Sequence, residues 1–409
     1  MREDHRAPIV TSQLWVHVGS SYEGPGQSGL SHALEHMLYK GSSKTAPGDF
    51  ENILGRLGAY ENAFTYEDST VYHQTLAAPF LNVALELTAD IFSTARLSES
   101  EFDREIEVIK NERLGAVDGS PAQLAEERLR SIAYPSSGYR TPIIGWANDL
   151  QRMQIDELRA WYQTWYVPTN ATLVVVGDVQ PTEVKRLAQR YFGHLVRKVI
   201  SPAKRPLELG SPGMRQIYLQ IANAPANVRM SFKVPTHASH EDARSLNALQ
   251  LLDKILAGGQ SSRLPAQLLR SDALLLQSDS NYNPFLRGDG RFNINATLRP
   301  ESQNSLQTLK QRIWLILEDI KSNPPSAEEL ERARNLITAS WVYERDRISG
   351  QASDLGLVAS TKLPLELLAN KIQALAEVTP EDVSLAARNY LTQDRLSVAF
   401  TNAKVSSHE

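Results

Sequence analysis

The chain of 409 residues contains no cysteine. Disulfides and thiolate metal sites are therefore excluded, and any bound metal must take His, Asp or Glu as ligands. Long apolar runs are also lacking. The apolar runs present are short; those such as residues 173–176 read as buried strands and fall far short of the ~18 residues of a membrane-spanning helix. There is little charge bias: 43 basic and 47 acidic residues leave a net charge of −4. That balance gives no electrostatic ground for nucleic acid or an anionic membrane as partner. The opening Met1-Arg2-Glu3-Asp4-His5 has no apolar signal core. Residues 10–18 already alternate as a strand, with Leu14, Val16 and Val18 on one side. The sequence thus reads as beginning inside a domain, with a targeting segment upstream as an expectation.

What is present is an ordinary globular composition, 42% apolar and 22% charged, and a length that allows two or more cores at roughly 100–200 residues per domain. After the first strand, a loop at Gly24-Pro25-Gly26 leads into a helical pattern over residues 28–40, stopped by Gly41. Strands are expected at 59–65 and 70–76 with a polar turn at Glu67-Asp68, then several helices between 79 and 130. A helix at 155–166 precedes a strand at 171–176. Residues 199–214 carry three prolines and two glycines without a period and read as a linker. This divides the chain into domains 1–198 and 215–409. The second half repeats the grammar of the first, with strands at 216–220 and 229–234 and a helix at 243–257. A helix at 379–391 and a strand at 396–400 mirror 154–166 and 173–176 at an offset of about 225 residues, which predicts an internal duplication. Helices beside hairpin strands suggest an α+β fold.

The chemistry lies in Gly29-Leu30-Ser31-His32-Ala33-Leu34-Glu35-His36-Met37-Leu38. His32 and His36 are four apart, so both imidazoles leave one helical face, one turn apart, and can meet one tetrahedral metal ion. Glu35 is three residues after His32 on the same side, placed to reach a water rather than the ion. Leu30, Ala33, Leu34, Met37 and Leu38 form the buried stripe opposite. His-x-x-Glu-His is the inverted counterpart of a known zinc signature. A third ligand is sought in residues 98–113, where Ser98 with Glu101 predicts a capping box. Glu105 and Glu112 lie two turns apart on one face of that helix. One can bind metal while the other orients a ligand, although spacing alone does not separate them from ordinary surface glutamates.

With these residues in place, the chain resembles the pitrilysin, insulin-degrading and mitochondrial processing peptidase family, in its short-chain bacterial branch. The resemblance spans nearly the whole chain and includes Gly-Gly-Gln-Ser-Ser-Arg-Leu at 258–264 and Leu-Val-Val-Val-Gly-Asp at 173–178. It implies two homologous domains, each a mainly antiparallel sheet backed by helices, together forming one half of a clam-shell chamber. It implies one Zn²⁺ per chain held by His32, His36 and Glu112, with Glu105 as the supporting acid and Glu35 as general base. It further implies that Asn62, Ala63 and Phe64 form a sheet edge on which an unfolded peptide pairs as an added strand. In the family a second lobe supplies an Arg and, seven residues later, a Tyr. Arg270 matches the Arg, but Gln277 stands at the Tyr position. The expectation is an endopeptidase subunit paired with a homologous non-zinc subunit, in preference to a homodimer, and located in the periplasm. The alternative is a non-catalytic scaffold of the same fold.

Overall fold

The computed structural model describes residues 1–201, 203–302 and 305–403. In the first half, β1 (Arg2–Glu3) and β2 (Ile9–Val16) precede α1 (Leu30–Leu38), and β3 (Tyr60–Thr65) and β4 (Thr70–Ala77) form a hairpin. The helix Leu81–Thr94 follows, then α2 (Glu99–Arg113) and α3 (Pro121–Ala133), and the helix Ile155–Trp165 leads into β5 (Ala171–Gly177). In the second half, β6 (Arg215–Ile221) and β7 (Asn227–Val234) precede α4 (Ala243–Ala257), and β8 (Leu275–Tyr282) and β9 (Gly290–Leu298) form the second hairpin. After α5 (Ile348–Ser360), the helix Pro380–Tyr390 leads into β10 (Leu396–Ala403).

These strands make two five-stranded sheets, ordered β1-β5-β2-β4-β3 and β6-β10-β7-β9-β8. Counted along each half, the order is the same, 1-5-2-4-3. In both sheets one outer pair is parallel, β1 with β5 and β6 with β10, and the remaining pairs are antiparallel. Such agreement between two halves is what a duplication leaves, and it extends the helix-then-strand likeness seen in the sequence to the whole topology. The fold is the expected α+β arrangement of two homologous sheets backed by helices.

Strand alternation explains the layers. In the second sheet, Met230, Phe232, Ile294, Val398 and Phe400 are buried on the side that packs against Leu249 and Leu252 of α4. The other side is polar, with Ser231, Asn293 and Asn295 at the matching odd positions. In the first sheet, Trp15, Val71 and Val174 form a small apolar patch closed by Ile348 and Ala352 of α5. Gly356 is what allows that closure, because a Cβ there would lie 2.0 Å from the Trp15 indole nitrogen.

By compactness, one unit comprises residues 1–114, 141–204 and 343–368, and the other 115–140, 205–342 and 369–409. Each therefore takes one helical segment from the other half of the sequence: α5 packs on the first sheet and α3 on the second. Among its described residues, the segment 199–214 has no helix or strand. The sequence expectations leave out β1, which is two residues long, and β8, whose Gln277, Asp279 and Asn281 are polar and exposed and give no apolar signal; they also leave out β9, the helices Leu306–Ser322 and Ala327–Asp346, and α5.

Candidate metal centre

α1 forms because its apolar residues recur at helical spacing. Leu30, Ala33, Leu34, Met37 and Leu38 are all at most 1% exposed, which leaves His32, Glu35 and His36 on the other face. The helix begins at Gly29, which is left-handed (φ 91°). A side chain there would also meet the Ile144 carbonyl oxygen at 2.9 Å, so glycine is required twice over. α2 begins after Ser98 as expected, but the expected capping box is absent. The Ser98 side chain accepts no capping bond, and Glu101 instead pairs with Arg104 at 2.9 Å. The nearby arginine competes for the carboxylate that a capping box needs.

α2 packs against α1 and brings its two glutamates to the histidines. Glu112 Oε2 lies 3.7 Å from His32 Nε2 and 3.5 Å from His36 Nε2. One ligand atom from each of His32, His36 and Glu112 falls within 4.8 Å of the others, and no other such group of three occurs among the described residues. Glu105, two turns earlier, turns its carboxylate to the far side of His36. Its Oε2 lies 3.3 Å from His36 Nδ1, and its Oε1 pairs with Lys40 Nζ at 2.9 Å. An Nδ1–H donated to Glu105 leaves the Nε2 lone pair of His36 facing Glu112 and His32, the tautomer a metal requires. The corresponding Nδ1 of His32 is buried without a hydrogen-bond partner.

The electrostatics suit the same chemistry. Burial, helped by the neighbouring His36, pushes the His32 imidazole down to about 4, so at neutral pH it is an uncharged donor. The His36 hydrogen bond holds the Glu112 carboxyl below its ordinary value. Burial disfavours a proton on His36 but is outweighed by the Glu112 and Glu105 carboxylates, and the imidazole is raised. Two imidazoles and a carboxylate, with Glu112 exposed and the others sheltered, match the donor set of a catalytic zinc with one side open. Glu35 is not among the donors. Burial raises its carboxyl against the opposing Thr65 hydrogen bond; Thr65 Oγ1 donates to Glu35 Oε2 at 2.5 Å.

Comparison with known proteins gives the family. Residues 1–145 match the family model of insulinase, peptidase family M16, and residues 152–337 match the model described as the peptidase M16 inactive domain. The chain belongs to the M16 peptidase family. It is 28% identical over 378 residues to the zinc protease PqqE of Helicobacter pylori, covering 91% of this chain and 82% of that one. It is 26% identical over 390 residues to the mitochondrial-processing peptidase subunit beta of Bos taurus, covering 93% and 78%. A crystal structure of a protease from Helicobacter pylori superposes with a TM-score of 0.91 at 26% identity, covering 97% of this chain and 95% of that one.

The other residues singled out in this M16 chain fall as follows. Asn62, Ala63 and Phe64 lie on β3, the outermost strand of the first sheet, which pairs with β4 alone among the described strands. Alternation turns Ala63 and Thr65 inward and leaves Asn62 and Phe64 exposed. The Ala63 N–H donates to Asn62 Oδ1 at 2.8 Å. Arg270 is exposed on the helical turn Pro265–Ser271, and Gln277 is exposed on β8 at a register shift. Three partners escaped the sequence reading. Lys40 holds Glu105, Thr65 holds Glu35, and Glu23 holds the start of α1. Lys40 was visible one turn beyond His36, on the same face. The other two depend on folding.

Proposed function

We propose that this chain is the zinc-bearing subunit of an endopeptidase that hydrolyses unfolded peptides. The observation that carries the reading is the convergence of His32, His36 and Glu112 beside the carboxylate of Glu35. A zinc ion at these three donors supplies a Lewis acid that makes a water nucleophilic near neutral pH and offsets negative charge on a developing oxyanion. Glu105 keeps the His36 ring oriented. Glu35 takes a proton from the attacking water at its carboxylate and returns it to the leaving nitrogen. Its raised affinity for protons suits both acts, and Thr65 holds it in place. β3, with one side unpaired, is suited to receive a peptide as an added strand. The exposed Asn62 side chain, now on the Ala63 N–H, would give way to a substrate carbonyl.

A homologous partner without zinc is part of the proposal. It is supported by Gln277 at the position where the family carries Tyr, and by a relative named as a beta subunit. A scaffold that does no chemistry would have no use for Glu35 beside the metal donors. Assay of an unstructured fluorogenic peptide with and without a zinc chelator, in the presence of the candidate partner, tests the reading. Chelator-sensitive cleavage is expected. Cleavage indifferent to chelator contradicts it.

A further inference from the structure

We propose that Glu23 is a positioning residue of the metal centre: its buried carboxylate sets the rotation of α1, and with it the aim of His32, Glu35 and His36. The inference rests on the reading of α1 as a metal helix. A helix N-terminus leaves several backbone N–H groups without partners, and a Ser, Thr, Asp or Asn at the cap usually takes one of them. Gly29 occupies the cap of α1 and has no side chain to do so. Both oxygens of Glu23 take over. Glu23 Oε2 accepts from the Gly29 N–H at 2.8 Å, and Glu23 Oε1 accepts from the Ser31 N–H at 2.7 Å. Ser31 immediately precedes His32.

The arrangement is costly unless it does something specific. Glu23 is only 6% exposed, and a buried carboxylate forfeits hydration that a surface cap would keep. The positive end of the helix dipole and two N–H donors offset part of that cost. What a two-point grip adds over an ordinary one-point cap is control of rotation. A single bond leaves the first turn free to swivel about it, whereas two bonds to one rigid carboxylate do not. Since His32, Glu35 and His36 share one helix, a small swivel moves all three together, and a site of this kind tolerates about 0.5 Å of misplacement. Neighbouring bonds brace the same end: Ser28 Oγ donates to Asp149 Oδ2 at 2.5 Å and accepts from the Trp146 N–H at 2.8 Å. The loop beyond the other end of α1 is held by a second acid, with Ser43 Oγ 2.7 Å and the Lys44 N–H 3.2 Å from Asp90.

The test uses Co²⁺ as a spectroscopic substitute for zinc in the full chain, comparing wild type with Glu23→Gln and Glu23→Asp. Gln keeps the size but offers one acceptor oxygen and a clashing N–H. Asp is one methylene shorter and reaches one N–H. For Glu23→Gln the visible cobalt spectrum is expected to change, and Co²⁺ and Zn²⁺ affinity to weaken about 10–100-fold, as when a partner behind a ligand is removed. Glu23→Asp is expected to lie between Glu23→Gln and wild type, and it carries the test if Glu23→Gln fails to fold. A variant with a lowered melting temperature but an unchanged cobalt spectrum and affinity would show a stabilising role only and overturn the proposal. Failure of the wild type itself to take up Co²⁺ would overturn the metal reading of α1, a different result.

Discussion

Glu35 is pressed out of water and gripped by Thr65, whereas Glu112 is exposed and drawn to two imidazoles. The two carboxylates therefore have different work to do, and their substitution is expected to separate it. Glu35→Gln should retain the metal and the fold while turnover falls about two to four orders of magnitude in steady-state kinetics, the usual effect of removing a general base. Unchanged kinetics would remove Glu35 from the reaction. Glu105→Ala should weaken zinc binding about 10–100-fold in a competition titration; total loss would make Glu105 a ligand. At this scale the sequence was readable where chemistry is local. His32, Glu35 and His36 follow from spacing on one helix. The choice of Glu112 over Glu105 came from a family resemblance, because two glutamates two turns apart look alike until the helix is packed. The absent capping box at Ser98 shows the reverse case, where a local pattern lost to the nearby Arg104.

Among the elements, α5 is held against the first sheet through Gly356, over the Trp15 indole. Gly356→Ala inserts a methyl into that contact and is expected to cost about 1–3 kcal/mol by overpacking, measured by denaturant unfolding. No loss would mean that α5 sits farther from the sheet. His17, just beyond β2, gives the first unit a pH dependence. Its Nε2 meets Thr172 Oγ1 at 2.9 Å, and burial, with Lys362 nearby, pushes its imidazole down from 6.5 to about 4. Between those values the unfolded ring binds a proton that the folded ring refuses. Stability from this group is thus complete above pH 6.5 and is lost as pH falls toward 4, by up to about 3 kcal/mol. His17→Gln should flatten the curve of melting temperature against pH in that window, and parallel curves would contradict the assignment. α1, α4 and the helix-then-strand pairs that end each half were legible as sequence. β9, α5 and the helices Leu306–Ser322 and Ala327–Asp346 were not read, although apolar residues recur in them. β1 and β8 were not read because a two-residue strand and a polar edge strand exist only through the strand they pair with.

At the scale of the whole chain, the duplication was visible as one helix-then-strand likeness 225 residues apart, and the two identical strand orders complete it. The exchange of α3 and α5 between the two halves of the sequence left no trace in its local pattern, since nothing local tells a helix which sheet it will cover. The proposed partnership belongs here as well. The zinc-loaded chain alone is expected to cleave an unstructured peptide poorly and to gain activity when a homologous subunit with an intact Arg and Tyr is added. Full activity without it, unchanged on addition, would contradict the heterodimer. Gln277→Tyr separates the alternatives further. A homodimer short of a phenol should gain activity from that change, whereas a chain served by its partner should not.

The most direct measurement is metal content by elemental analysis after dialysis against zinc, for wild type and His36→Ala side by side. One zinc per wild-type chain is expected, with loss of most of it in His36→Ala. Equal zinc in both, or none in the wild type, would contradict a metal centre at His32, His36 and Glu112.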